Sequence, residues 1–274
     1  MSSIRNRTLT GLVLVVVITG CLFAGIYTFL LLLLAINWLG LMEFYRLFRS
    51  AATTPRTAAG IVLSTVIILS VACTLKYNLS YSWLAALVPL AFFVFLLELY
   101  QKSGHPFQNL AFTFLGILFI TVPLSFFLAT ALLPWAKNEY KPEFILGYFI
   151  LLWTSDTMAY LLGNWFGKHK LFVRISPNKT WEGSIGGGLS TILSAFLISR
   201  YLPLLSTTQW LTVAVLVAIF GTYGDLLKSM MKRSLGVKDA GTILPGHGGI
   251  LDRFDSLLGS APFVLLYLLL TQHE

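Results

Sequence analysis

Long apolar runs separated by short polar stretches set the first expectation for this chain. A helix needs about 17–25 predominantly apolar residues to cross a bilayer. The run from Leu9 to Met42 is too long for one crossing. A break near Gly20–Gly25 divides it into two helices, the first of them short. Further spans are expected at Ile61–Leu75, Trp83–Leu99, Leu110–Leu133, Phe144–Phe166, Ile185–Tyr201, Gln209–Asp225 and Asp255–Leu270. The pattern predicts an all-α polytopic membrane protein with about nine transmembrane helices. Residues 1–140 would carry about five spans, and 141–274 the remaining four together with two polar segments.

Composition narrows this further. Of the 274 residues, 57% are apolar and 11% charged, against about 25% charged in an average soluble domain. With a mean hydropathy of +0.80, a soluble globule and a disordered chain are both excluded. The net charge of +8 does not point to nucleic acid, because Lys and Arg gather in the cytoplasmic loops of membrane proteins. With nine spans and a cytoplasmic N-terminus, fifteen of the nineteen bases fall inside, leaving Lys76, Lys137, Lys141 and Arg200 outside. Reading the first apolar region as one span shifts the split to 13 against 6, so the charge asymmetry favours nine. It also predicts that both polar segments face the cytoplasm at the cell membrane. Cys21 and Cys73 lie in apolar runs and form neither a disulfide framework nor a metal spacing. The stretch Ile18–Cys21 resembles a lipoprotein cleavage site, but more membrane helix follows it, and an ordinary first helix is expected.

The polar segments are Lys168–Gly183 and Asp225–Asp255. They hold Glu182, Asp225, Asp239, Asp252 and Asp255, with Asp156 one helix away, which is six of the eleven acids. Asp225, Lys228, Ser229 and Lys232 are spaced i, i+3, i+4, i+7, so a helix continuing past the membrane boundary would carry them on one face. The loop Pro245-Gly246-His247-Gly248-Gly249 could bring backbone amides close to an anion. Asp252 and Asp255 open the last span, where the helix dipole favours carboxylates. Taken singly, these charges read as solvated interfacial residues and helix caps. Their density in so uncharged a chain argues for function instead. Carboxylate oxygens suit Mg²⁺ bound together with substrate phosphates, and Lys and Arg neutralise phosphate charge. These are parts for phosphoryl or nucleotidyl transfer. An ion-coupled transporter would also carry intramembrane acids, but near the midplane and commonly in repeated halves. Asp156, Tyr160 and Asn164, spaced i, i+4, i+8, are expected to face protein. Ser176–Lys179 reads as a turn, and Gly183 with Gly186–Gly188 as a close helix contact.

The segment from Ser229 to Asp255 resembles the phosphatidate cytidylyltransferase family, also called CDP-diacylglycerol synthase. Ser229, Lys232, Arg233, Lys238, Asp239, Gly241, Leu244, Pro245, His247, Gly248, Gly249, Asp252, Arg253 and Asp255 fill the fixed positions of the family signature. Asp156, Ala159, Tyr160 and Gly163 match its D-x-x-A-Y-x-x-G pattern, and Ser176 to Gly183 its S-P-K-K-T-x-E-G stretch. There Asn178 stands where a Lys is usual, while Lys179 and Glu182 are kept. The N-terminal half matches as membrane helices, with Glu43 closing the second span. The resemblance implies transfer of the cytidylyl group of CTP to phosphatidic acid, giving CDP-diacylglycerol and pyrophosphate. It implies dependence on Mg²⁺ with a second cation, membrane lipid as partner, and a homodimer. Asp225 and Asp252 become the expected metal ligands with Asp255 nearby, and Lys232 and Arg233 join them as catalytic residues. Substrate contacts are expected from Lys179, Ser229, Lys238, His247, Gly248, Gly249, Arg253, Asp156 and Glu182. A CTP-dependent lipid kinase is the neighbouring alternative.

Overall fold

A computed structural model describes residues 2–50, 53–132, 139–237, 241 and 248–271, with the side chains of residues 2–9 left aside. Lys238, Asp239 and His247 therefore lie outside the described residues. The helices are α1 (Ser2–Phe23), α2 (Ile26–Phe48), α3 (Thr57–Lys76), α4 (Leu87–Leu99, entered through a 3₁₀ turn at Tyr81–Ala86), α5 (Pro106–Gly116) and α6 (Val122–Thr130). They continue with α7 (Pro142–Phe166), α8 (Trp181–Tyr201), α9 (Thr207–Ser234) and α10 (Leu251–Thr271). A π-helical turn, Ile117–Thr121, joins α5 and α6 into one rod. Pro123, which has no amide to donate, is the second residue of α6, two residues past the turn. Among the described residues this makes nine helical rods, the number predicted. Seven are long and apolar enough to cross a membrane by themselves. In α1 only Thr10–Phe23 is apolar. In α8 four glycines with four serines and a threonine dilute the hydropathy. The chain is a polytopic all-α membrane protein.

Two compact units divide the chain: Met1–Tyr140 with Asp239–Arg253, and Lys141–Lys238 with Phe254–Glu274. In the first unit, Gly25 at φ +127° breaks α1 from α2 where the sequence predicts it, a conformation that suits a residue without Cβ. Asn37 is wholly buried and ties three rods together. Its amide donates to Ser64 Oγ at 2.9 Å, and Thr121 Oγ1 donates to its oxygen at 2.8 Å. Lipid offers no alternative partner to such groups, so they are met inside the protein. Tyr45 sits between Gly60 and Gly116, either of which would overlap its ring if it carried a Cβ. Its hydroxyl donates to the Thr113 carbonyl at 2.8 Å. Arg56, just ahead of α3, is paired with Glu98 of α4, which also accepts from Asn109 at 2.9 Å.

The second unit is built on close helix approach. Gly183 and Gly187 of α8 lie against Ala159 and Gly163 of α7, and a Cβ on Gly187 would come 2.9 Å from the Ser155 carbonyl. This is the small-residue contact expected of Gly183–Gly188. Trp210 is fully buried, stacked on Phe144 with ring centres 5.5 Å apart and pressed against Gly147. Gly221 and Gly224 of α9 face Ser256 and Gly259 of α10. Alongside them the Phe220 and Phe263 rings stack nearly parallel.

Two local expectations are corrected. The expected turn at Ser176–Lys179 is a strand, β2 (Ser176–Thr180), paired antiparallel with β1 (Lys170–Phe172). The turn itself is Val173–Ile175. Pro177 is tolerated because a two-stranded ribbon has only edge strands. The stripe Asp156, Tyr160, Asn164 is not covered along its length, since Tyr160 is 68% exposed and Asn164 is exposed too. Its Asp156 end contacts a neighbouring helix through Ser256.

Candidate active site

The predicted polar face of α9 exists, because the helix runs nine residues past Asp225 to Ser234. Asp225 is its centre. One carboxylate oxygen meets Lys179 Nζ at 2.7 Å, and the other meets Lys228 Nζ at 3.1 Å. Ser229 Oγ donates to that second oxygen at 3.4 Å. Lys228, 5% exposed, also pairs with Asp255 of α10. Asp255 is 8% exposed and accepts the Ser256 amide at 2.8 Å. The Ser256 hydroxyl donates to Asp156 of α7 at 3.1 Å. Helices α7, α9 and α10 and strand β2 thus gather three carboxylates and two ammonium groups into one connected set. Further along α9, Lys232 is buried, and exposed Arg233 donates from Nε to the Ile175 carbonyl at 3.4 Å.

Lys179 reaches this set because β2 ends where α8 begins. Thr180 caps α8, accepting the Gly183 amide at 3.2 Å, the arrangement favoured at helix starts. Glu182 stands in the polar stretch ahead of the apolar run from Ile185. It accepts the Lys168 amide at 3.1 Å, the His169 amide at 3.1 Å and the His169 ring at 2.6 Å. Its own backbone amide first, then the His169 ring and these amides, hold its carboxyl down at about 2. Among its described contacts, Glu182 clasps the hairpin to α8. A Glu182→Gln change should speed hydrogen exchange at Lys168 and His169. It should also lower turnover less than loss of Lys179 does, measured with both substrates saturating.

In the first unit, Asp252 opens α10 and accepts the Gly249 amide at 3.3 Å. Gly248 has φ +79°, and a Cβ on it would come 3.1 Å from the Asp252 carboxylate. The loop backbone is therefore folded onto the Asp252 side chain at a position suited to glycine. Arg253 follows in the same helical turn, exposed. One residue that sequence reasoning left without a role belongs here. Glu43, 3% exposed, accepts the Ile250 amide at 3.0 Å and the Leu251 amide at 3.0 Å. Its place at the end of the second span was the only signal for it in the sequence.

Asp225 and Asp255 offer the hard oxygen donors that Mg²⁺ takes. Both carboxylates already converge on one cation, the Lys228 ammonium. Among the described residues no three His, Cys, Asp or Glu side chains form a ready metal cage. Mg²⁺ in phosphate-transfer sites is commonly held by one or two carboxylates and completed by substrate phosphates.

Nine rods, with acids and bases gathered where α7, α9 and α10 meet and Lys228 and Asp255 buried among them, define a polytopic membrane enzyme rather than a passive membrane scaffold. The model of the cytidylyltransferase family matches residues 5–271, and the chain belongs to that family of nucleotidyltransferases. A phosphatidate cytidylyltransferase of Staphylococcus haemolyticus is 33% identical over 274 residues, covering 98% of this chain and 99% of the relative. Another, from Staphylococcus aureus, is 40% identical over 191 residues, 69% of this chain and 70% of the relative. One from Staphylococcus epidermidis is 38% identical over 189 residues, with 69% and 70% covered.

Proposed function

We propose that this chain transfers the cytidylyl group of CTP to phosphatidic acid, producing CDP-diacylglycerol and pyrophosphate. The observation that carries the reading is the connected set Lys179–Asp225–Lys228–Asp255 in a family of cytidylyltransferases. A phosphatidate oxygen attacks the α-phosphorus of CTP in line. The bond from that phosphorus to the oxygen bridging the β-phosphate breaks, and pyrophosphate leaves with the electron pair. The attacking oxygen is already ionised at neutral pH, so no general base is required. Lys179, Lys228, Lys232 and Arg233 supply positive charge to two anionic substrates, stabilising the charge that builds on the leaving group. Ser229 orients Asp225 by its hydrogen bond. Bound by Asp225 and Asp255, Mg²⁺ would supply Lewis-acid neutralisation of the phosphates. The sequence signature assigns Asp252 to the same metal-binding role, with a second cation, and Lys238, His247, Gly248, Gly249 and Arg253 to phosphate binding.

The same reading puts the site on the cytoplasmic side of the bacterial cell membrane. The charge distribution supports it, as does the chemistry of one water-soluble and one lipid substrate. Membrane lipid and a second copy of the chain, in a homodimer, complete the proposed partners. The test uses protein purified in detergent with CTP, phosphatidic acid and Mg²⁺, following the products. Pyrophosphate with CDP-lipid is expected. CDP as product would mean a lipid kinase, and turnover of neither would favour transport. Chelation of Mg²⁺ should stop pyrophosphate release and its return should restore it; activity that persists in excess chelator would remove the metal from the reading.

A further inference from the structure

The carboxylate of Glu43 comes from the end of α2, yet it binds the backbone at the start of α10, 207 residues later. Each oxygen takes one amide, Ile250 on Oε1 and Leu251 on Oε2, both at 3.0 Å. These amides belong to the first turn, where no intrahelical acceptor exists and negative charge is favoured. The backbones of Gly241 and Gly249 lie close against the same carboxylate. A Cβ on Gly249 would come 2.5 Å from Oε2, and one on Gly241 would come 2.8 Å from Cδ. Gly249 in turn donates to Asp252 at 3.3 Å. One buried acid therefore touches or borders the segment that carries Gly248, Gly249 and Asp252.

We infer that Glu43 is a positioning residue. It fixes the backbone of residues 248–252, and through it the direction of the Asp252 carboxylate and of the loop amides that meet the nucleotide phosphates. This rests on the proposed cytidylyl transfer. Gln has the size of Glu but turns one acceptor into an N–H donor facing the Leu251 or Ile250 amide. Asp keeps the charge and is one methylene shorter, so it loses reach to one amide. With charged hydrogen bonds at stake, the KM for CTP should rise about tenfold or more in Glu43→Gln. It should rise less in Glu43→Asp, while the KM for phosphatidic acid stays within about twofold. Hydrogen exchange at residues 248–252 should speed up in the same order in protein free of substrate. Wild-type KM for CTP with wild-type exchange in Glu43→Gln would overturn the inference. So would a loss of active enzyme with both KM values and the exchange unchanged, which is what a merely structural role gives. If Glu43→Gln does not accumulate, Glu43→Asp decides by the same two readouts. The exchange measurement needs no turnover, so a wild-type protein that releases no pyrophosphate would sink the proposed function, while exchange at residues 248–252 would still decide whether Glu43 fixes that backbone.

Discussion

Changing Asp225 to Asn lowers CTP-dependent pyrophosphate release by about 10³-fold at saturating substrates, with the protein still folded; removal of a single charge-stabilising group from a preorganised site has effects of that order. Asp225 holds Lys179 at 2.7 Å and Lys228 at 3.1 Å, and an amide of the same shape keeps the packing while withdrawing the charge that both lysines answer. Lys228 would keep its pairing with Asp255, its other described carboxylate partner. Lys179, 27% exposed, would lose its described ion pair and be freer to meet incoming phosphate. The KM for CTP should move far less than kcat, because the lost charge acts on the reacting phosphates and not on the base. Gel filtration in detergent and thermal melting should match wild type. A variant that keeps turnover within about threefold of wild type would remove Asp225 from the chemistry and with it the centre of the proposed site.

The second large effect is steric. Gly224→Leu should abolish activity and lower the melting temperature, because α9 and α10 touch at this point. A Cβ on Gly224 would lie 2.9 Å from the Gly259 Cα and 3.1 Å from its nitrogen. Overpacking of this kind costs about 1–3 kcal/mol, occasionally more. Relief requires the helices to separate, and the Lys228–Asp255 pair sits one turn away on the same seam. The stacked rings of Phe220 and Phe263 would be pulled apart as well. The check is a melting curve and a turnover assay on Gly224→Ala and Gly224→Leu, with losses graded by size. A fully active Leu variant would show that the seam is not required at this spacing.

Much of the molecule is legible in its sequence because membrane helices announce themselves by length and hydropathy. The break at Gly25, the nine rods and the glycine contact of α7 with α8 follow from such local signals. So does the polar face of α9, where Asp225, Lys228, Ser229 and Lys232 obey the helical period. What stays hidden depends on distance along the chain. Nothing in a linear pattern joins Glu43 to Ile250. Lys179 and Asp225 are likewise matched only by the fold. The hairpin is hidden in the sequence for a different reason. Its strands have three and five residues, too short for a period of two to stand out. The sequence Ser-Pro-Asn also carries the chemistry of a turn. The resemblance implies a substrate contact for Glu182, whose described contacts go to the backbone and ring at positions 168 and 169.

The shortness of that ribbon has a practical corollary for engineering. Side chains on a strand alternate between faces, so a one-residue insertion within β2 ahead of Lys179 would turn it away from Asp225. The outer bend at Val173–Arg174 carries no such register. A tag or probe belongs there, where added length leaves the inner end of the ribbon in phase.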